Sequence, residues 1–357
     1  MLLINEVRIS NFKGLKSCEV KDLRRVNLII GKNDSGKSSI LEAIFHTCKE
    51  FISPNLHEIM GRRTNVFTGG RELWFGYDTE QTVDIALDFD NFGVSLKFNR
   101  EGDNINTILG VERSLPPSRT PWSSRTRGSE YSIHNLRIVN QRPRAGLNLL
   151  DKMRTTRPLL RYPITRHFRN AVLIDCRKKA QLSSVESCLG QIKLDLKDEE
   201  FGAILRKIYG KGKYWEFLPH PDSPQEKRIA FKEGEKRYFL SDFGDGFRFG
   251  LSICATAMTL RGTTIFIEEI ENHQHSGSLK QLILNLVGIS RENDLQLFIT
   301  THSNSVWNSF SRVLYKEPKR KKEEFRCILV DRDFTSGVAT AKATDNIQWI
   351  TKTLGQI

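Results

Sequence analysis

Val26-Asn27-Leu28-Ile29-Ile30-Gly31-Lys32-Asn33-Asp34-Ser35-Gly36-Lys37-Ser38-Ser39-Ile40-Leu41-Glu42-Ala43-Ile44-Phe45 is the most informative stretch of this 357-residue chain. Its centre, Gly31 to Ser38, fits the phosphate-binding pattern G-x-x-x-x-G-K-[ST]. The apolar run Val26–Ile30 predicts a buried strand entering the loop, and Ser39–Phe45 predicts a helix leaving it. Glycines let such a loop curl its N–H groups toward phosphate oxygens, and the helix N-terminus adds partial positive charge. Lys37 is placed to reach the β- and γ-phosphates, and the Ser38 hydroxyl to hold Mg²⁺. Gly31, Asn33, Ser35, Gly36, Lys37, Ser38 and Ser39 are therefore the nucleotide-binding candidates, with ATP the expected ligand.

Upstream, Leu2–Ile9 and Ser17–Leu23 read as strands. Downstream, Thr82–Phe89 and Phe92–Phe98 alternate with period two, and Asp90-Asn91 before Gly93 predicts a hairpin between them. Tyr131–Val139 is a weaker strand candidate, and Ala171–Asp175 a buried one. Helices are expected over Ser183–Ile192 and Asp198–Tyr209, the first opened by a capping box, Ser183 to Glu186. Two short strands follow, Arg228–Lys232 and Lys236–Leu240. The last third alternates helix (Phe247–Leu260), strand (Thr264–Ile267), helix (Ser278–Ser290), strand (Leu295–Ile299), helix (Ser303–Tyr315) and strand (Phe325–Val330). Short continuous apolar strands between helices predict a central, mainly parallel sheet.

Hydrophobic residues make up 38% of the chain. No run approaches the ~18 apolar residues of a membrane span, and Glu6 and Arg8 interrupt any signal-peptide core. Six cysteines lie scattered without a C-x-x-C pair. This disfavours a zinc site or disulfide framework and predicts a reducing, cytoplasmic setting. The net charge of +13 is regional. Between Val111 and Asn170 stand 13 basic residues, nearly all arginine, against three acidic ones, so this segment carries ten of the thirteen net charges. Arginine suits bidentate phosphate contacts. Arg137, Arg142, Arg144, Arg154, Arg157 and Arg161 are the nucleic-acid candidates, with DNA the expected partner.

A phosphate loop needs acidic residues at the end of a nearby strand. Thr264-Ile265-Phe266-Ile267-Glu268-Glu269 supplies two: Glu268 toward Mg²⁺ and Glu269 as the general base for water. Leu297-Phe298-Ile299-Thr300-Thr301-His302 delivers His302 in the same way, toward the γ-phosphate or the attacking water. Ser241-Asp242-Phe243-Gly244-Asp245-Gly246 forms a second glycine-rich helix start. Asp331-Arg332-Asp333 could mark a nuclease centre, but a hairpin turn through Thr335-Ser336-Gly337 is the better reading.

This set resembles the ATP-binding-cassette class of P-loop ATPases, and more narrowly the RecF/SMC/OLD-like branch of AAA family ATPases, without a long coiled coil or Toprim domain. Ile9-Ser10-Asn11-Phe12-Lys13-Gly14-Leu15 is similar to that branch's opening I-x-N-F-(K/R)-G strand. The resemblance implies an α/β fold of ABC-ATPase type with an antiparallel β subdomain and a helical or basic insert. It divides the chain into an N-terminal lobe (1–110), an arginine-rich insert (111–170), a helical and strand subdomain (171–235) and a C-terminal lobe (236–357). It implies Lys37, Glu269 and His302 as catalytic residues, Ser38 and Glu268 at Mg²⁺, and two heads sandwiching ATP, with Ser241, Gly244 and Gly246 acting in trans. Glu271-Asn272-His273-Gln274-His275 matches the E-x-H-L-H stretch near the dimer seam, with Gln274 in place of leucine. Glu268 replaces the usual aspartate, and Gln81, Gln141 and Gln181 compete for the Q-loop position. The resemblance implies an ATPase head that forms a homodimer or higher oligomer; with the arginine-rich segment, the reading is a slow ATPase that acts on DNA in repair or phage defence. The alternative is a regulatory subunit gating a separate effector; a transporter subunit ranks last.

Overall fold

The structure, a computed structural model, describes residues 2–50, 70–90, 92–101, 104–113, 128–137, 167–168, 170–175, 182–210, 214–316 and 324–344. The chain divides into two compact units, Met1–Val172 with Glu324–Ile357, and Leu173–Glu323. This differs from the four consecutive segments read from the sequence. The last segment, 236–357, is shared between both units, because the strands near the C-terminus return to pair within the first.

In the first unit, β1 (Glu6–Phe12), β2 (Leu15–Val20), β4 (Val83–Asp88), β5 (Phe92–Glu101), β6 (Asn104–Arg113) and β7 (Gly128–Arg137) form an antiparallel sheet in the order β2-β1-β4-β5-β6-β7. The register puts Val7 opposite Leu87, Ile9 opposite Ile85, Leu87 opposite Val94 and Ile85 opposite Leu96. All are buried, so one face of the sheet is an apolar ladder. Helix α1 (Lys37–Glu50) packs on β1, β4 and β5. Trp74 closes the cluster edge-on to Phe98, with ring centroids 5.3 Å apart. The five residues of β3 (Val26–Ile30) are all buried. This strand lies parallel to β14 (Phe325–Arg332), which in turn pairs antiparallel with β15 (Ala339–Thr344).

The second unit begins at Leu173, within β8 (Val172–Asp175), followed by α2 (Leu182–Leu194), α3 (Asp198–Tyr209) and the small sheet of β9 (Trp215–His220), β10 (Ser223–Glu233) and β11 (Lys236–Phe239). Then come α4 (Asp245–Thr259), β12 (Thr264–Glu268), α5 (Ser276–Glu292), β13 (Gln296–Thr301) and α6 (Asn304–Lys316). β12 and β13 are parallel, every residue of both is buried, and Phe266 stacks on Phe298 at 5.4 Å. Burial on both faces explains their unbroken apolar runs.

The side chain of Ser183, one half of the expected capping box, lies outside the described residues. α2 already runs from Leu182, so Ser183 lies inside the helix, and the Glu186 carboxylate instead accepts from the Ile229 N–H at 3.2 Å and pairs with Arg228 at 3.3 Å. β6, β9 and β15 were not anticipated. β15 buries only Ala339 and β9 only Trp215, so neither shows a clean apolar period.

Candidate functional site

The phosphate loop leaves β3 at Gly31. A Cβ there would collide with the Val330 carbonyl oxygen, so only glycine lets the loop pass this close to β14. Asp34 (φ 61°) and Gly36 (φ 101°) take left-handed conformations, and a Cβ on Gly36 would stand 2.6 Å from Leu15 Cδ2. These two turns curl the chain into α1. The backbone groups of its first turn have no intrahelical acceptor, which makes the helix start an anion site. Lys37 is only 6% exposed, and its ammonium donates to the carbonyls of Gly31 at 2.8 Å and Lys32 at 2.6 Å. Ser35 Oγ is buried inside this loop and finds no hydrogen-bond partner among the described residues. An orphaned hydroxyl costs stability unless a ligand meets it, and a phosphate oxygen fits it. Beneath the loop, the fully buried Glu42 accepts from Lys13 Nζ at 2.5 Å.

In the second unit, the fully buried β12 carries Glu268, 1% exposed, to its C-terminal end. The chain then breaks with Glu269 at φ 50°. That left-handed step costs about 1 kcal/mol or more for a residue with a side chain. It brings the Glu269 N–H to Thr300 Oγ1 at 3.0 Å and its Oε2 to Asn272 Nδ2 at 2.6 Å. Asn272 N–H closes the turn onto Glu269 O at 2.9 Å. His302 stands at the end of β13 and is exposed, with Nδ1 3.3 Å from Glu271 Oε1. Hard oxygen donors such as Ser38 and Glu268 are the type Mg²⁺ prefers. Among the described residues, no group of three or more His, Cys, Asp or Glu side chains is placed to hold a metal ion.

The glycine-rich stretch before α4 is also shaped. Asp242 Oδ2 accepts from the Phe239 N–H at 2.9 Å, and Gly244 caps the helix without a side-chain bond. A Cβ on Gly244 would meet nothing within 4 Å, so its own surroundings do not demand glycine. Gly246 differs, because a Cβ there would strike the His273 carbonyl. Gln274 Nε2 donates to Gly246 O at 2.6 Å, and the Tyr209 hydroxyl donates to Gln274 Oε1 at 3.0 Å. Burial pushes the Tyr209 hydroxyl well above its ordinary pKa and keeps it a donor. Phe243 stacks on Phe247 at 4.6 Å, and Phe231 meets Phe247 edge-on at 5.3 Å, which roots the loop in the second unit's core.

The family profile described as the AAA ATPase domain matches residues 3–208. The chain belongs to the AAA ATPase domain family. With Gly31–Ser38 it carries the phosphate-binding sequence of a P-loop ATPase. It is 24% identical to an ATP/GTP phosphatase of Helicobacter pylori, over 93% of this chain and 94% of that one. It is also 28% identical to the DNA double-strand break repair Rad50 ATPase of Methanocaldococcus jannaschii, over 32% of this chain and 12% of the much longer Rad50. Among solved structures, its fold is similar to an SMC head bound to the C-winged helix domain of ScpA, with TM-score 0.52 and 15% identity over 98% of this chain and 99% of that one. The SMC head of Pyrococcus furiosus bound to the C-terminal domain of ScpA gives TM-score 0.51 and 13% identity, covering 100% and 99%.

Within this ATPase, sequence reasoning did not single out Asn272, Thr300, Thr301, Tyr209 or the Lys13–Glu42 pair as partners of the site. A hydroxyl pair ending a buried strand, Thr300-Thr301, was the available signal. Of the nucleic-acid candidates, only the backbone of Arg137 is described, in β7; Arg142, Arg144, Arg154, Arg157 and Arg161 lie outside the described residues. Gln141 and Gln181 lie outside them too, while Gln81 is exposed and accepts from Trp74 Nε1 through its carbonyl at 2.8 Å. Asp333 is occupied by the turn. Its carboxylate takes the Ser336 hydroxyl at 2.6 Å and the Thr335 N–H at 2.9 Å, and the Ser336 bond leads in holding it below the usual aspartate range. Among the described residues, no helix is long and apolar enough to cross a membrane.

Proposed function

We propose that the chain is a slow ATPase head that dimerises around ATP and acts on DNA. The loop Gly31–Ser38 cradles the phosphates with its amides, Lys37 neutralises them, and Ser35 and Ser39 add hydroxyl contacts. Ser38 offers the hydroxyl and Glu268 the carboxylate for Mg²⁺, which when bound neutralises the charge developing on the transferred phosphoryl group. Glu269 accepts the proton of the attacking water, and His302 meets the γ-phosphate or that water. Ser241, Gly244 and Gly246 present the start of α4 to ATP held by a second copy. Intrinsic nuclease activity is not part of this reading. One observation carries the hydrolytic assignment: Glu269 is turned out of a fully buried strand by a strained backbone step and held there by Asn272 and Thr300. Strain of this kind gathers at functional sites.

Light scattering of Glu269→Gln with and without Mg·ATP tests it. A nucleotide-dependent doubling of mass is expected, and an unchanged mass removes the sandwich. DNA as partner is supported by the arginine density between residues 111 and 170 and by the likeness to Rad50. DNA repair or phage defence is the setting proposed for it. A second reading, control of a separate effector protein, is favoured by the solved SMC head being bound to ScpA. Brisk DNA-stimulated turnover by the chain alone counts against that second reading.

A further inference from the structure

Glu271 is built as carefully as the groups assigned to hydrolysis. Its Oε1 accepts the Thr301 hydroxyl at 2.8 Å and the His302 backbone N–H at 3.0 Å, with His302 Nδ1 at 3.3 Å. Its Oε2 is buried and has no hydrogen-bond partner among the described residues. The carboxylate is 11% exposed and the imidazole 44%. Half of a buried carboxylate is thus left unmet while the other half takes two hydrogen bonds from one strand end with the His302 ring nitrogen beside them, an arrangement that costs stability rather than adding it.

The turn that carries Glu271 also orients Glu269. Asn272 N–H bonds Glu269 O at 2.9 Å, Asn272 Nδ2 bonds Glu269 Oε2 at 2.6 Å, and Gln274 N–H bonds Glu271 O at 3.0 Å. One short turn therefore addresses both groups, through Asn272 to the base and through Glu271 to the histidine. A carboxylate is an acceptor only, so a neutral imidazole facing it must carry its proton on Nδ1. That leaves Nε2 alone to meet a substrate.

We propose that Glu271 is the positioning residue for His302, selecting the Nδ1–H tautomer and aiming Nε2 outward. The proposal rests on the assignment of His302 to the hydrolysis step. Glu271 itself touches no substrate. It acts through the ring, as carboxylates behind functional histidines do.

The test uses the full chain labelled with ¹⁵N-histidine, with His302 signals assigned by their loss in His302→Gln. Wild type should show a protonated Nδ1 and a bare Nε2, and Glu271→Leu should lose that pattern. Glu271→Leu should also lower kcat by about tenfold or more while KM for ATP stays within about twofold. Glu271→Gln, which keeps an acceptor, should recover most of the rate. His302→Ala with Glu271→Leu should be no slower than His302→Ala alone. A wild-type spectrum with the proton on Nε2 overturns the proposal without any variant, which covers the case of a leucine variant that does not fold. A multiplied loss in the double variant overturns it as well. If His302→Ala turns over normally, the assignment of His302 to hydrolysis falls, while the spectra still judge Glu271.

Discussion

The Gln274–Tyr209 clasp on the start of α4 makes a quantitative prediction. Gln274 Nε2 holds Gly246 O at 2.6 Å, and Tyr209 OH holds Gln274 Oε1 at 3.0 Å, both partly buried. Tyr209 OH also lies 3.4 Å from Gly246 O, a weak alternative donor. A neutral hydrogen bond contributes about 0.5–1.5 kcal/mol net. Gln274→Leu removes two such bonds but leaves Tyr209 free to turn to Gly246, so it should cost about 1–2 kcal/mol. Tyr209→Phe removes one bond and leaves Gln274 Oε1 unmet, a cost of about 1 kcal/mol or slightly more. The two changes share the Tyr209–Gln274 bond, which can be lost only once. The double variant should therefore fall short of the sum by about 0.5–1.5 kcal/mol. Native-state hydrogen exchange at the amides of the first turns of α4 reads this locally, without requiring the whole chain to unfold in two states. Additivity within about 0.3 kcal/mol, or exchange unchanged by Gln274→Leu, would refute the clasp as a coupled unit.

Lys37→Ala should lower ATP turnover by at least about a hundredfold and weaken nucleotide binding, measured by steady-state hydrolysis and calorimetry. Gly36→Ala places a Cβ against Leu15 at a φ of 101°, so the variant should lose about 1–3 kcal/mol and bind ATP poorly; an unchanged melting temperature contradicts this. Lys13→Met removes the ammonium 2.5 Å from the fully buried Glu42 and should cost about 1.5–3 kcal/mol, read by chemical denaturation; an unchanged stability contradicts this. Burial pushes the thiols of Cys18 and Cys254 up to about 12, above the unfolded value near 9. Their contribution to stability is therefore complete below pH ~9 and is lost as pH rises toward 12. Cys254→Ala should flatten that alkaline limb in urea titrations.

The phosphate loop and its strand and helix were legible because strand burial, glycine turns and helix periodicity all act within twenty residues. The ends of β12 and β13 were legible for the same reason: an apolar run that stops at a charge marks where a buried strand meets solvent. Glu186, read as half of a local box, serves a distant group, the Ile229 N–H, which no local pattern announces. β9 and β15 escaped notice because their side chains face mixed surroundings, so their pairing is set by backbone hydrogen bonds rather than by an apolar period.

The sequence alone determined the chemistry on offer: a phosphate cradle, two acids ending one buried strand, a histidine ending another, and a charge excess confined to one segment. Tertiary structure decided which side chains serve those groups. Asn272 on Glu269 is a matter of three residues, but Glu271 meets Thr301 from 30 positions away, and Tyr209 meets Gln274 from 65. Local physics writes motifs into adjacent residues. The hydrogen bonds that aim a functional group close across loops whose ends come together only when the core packs.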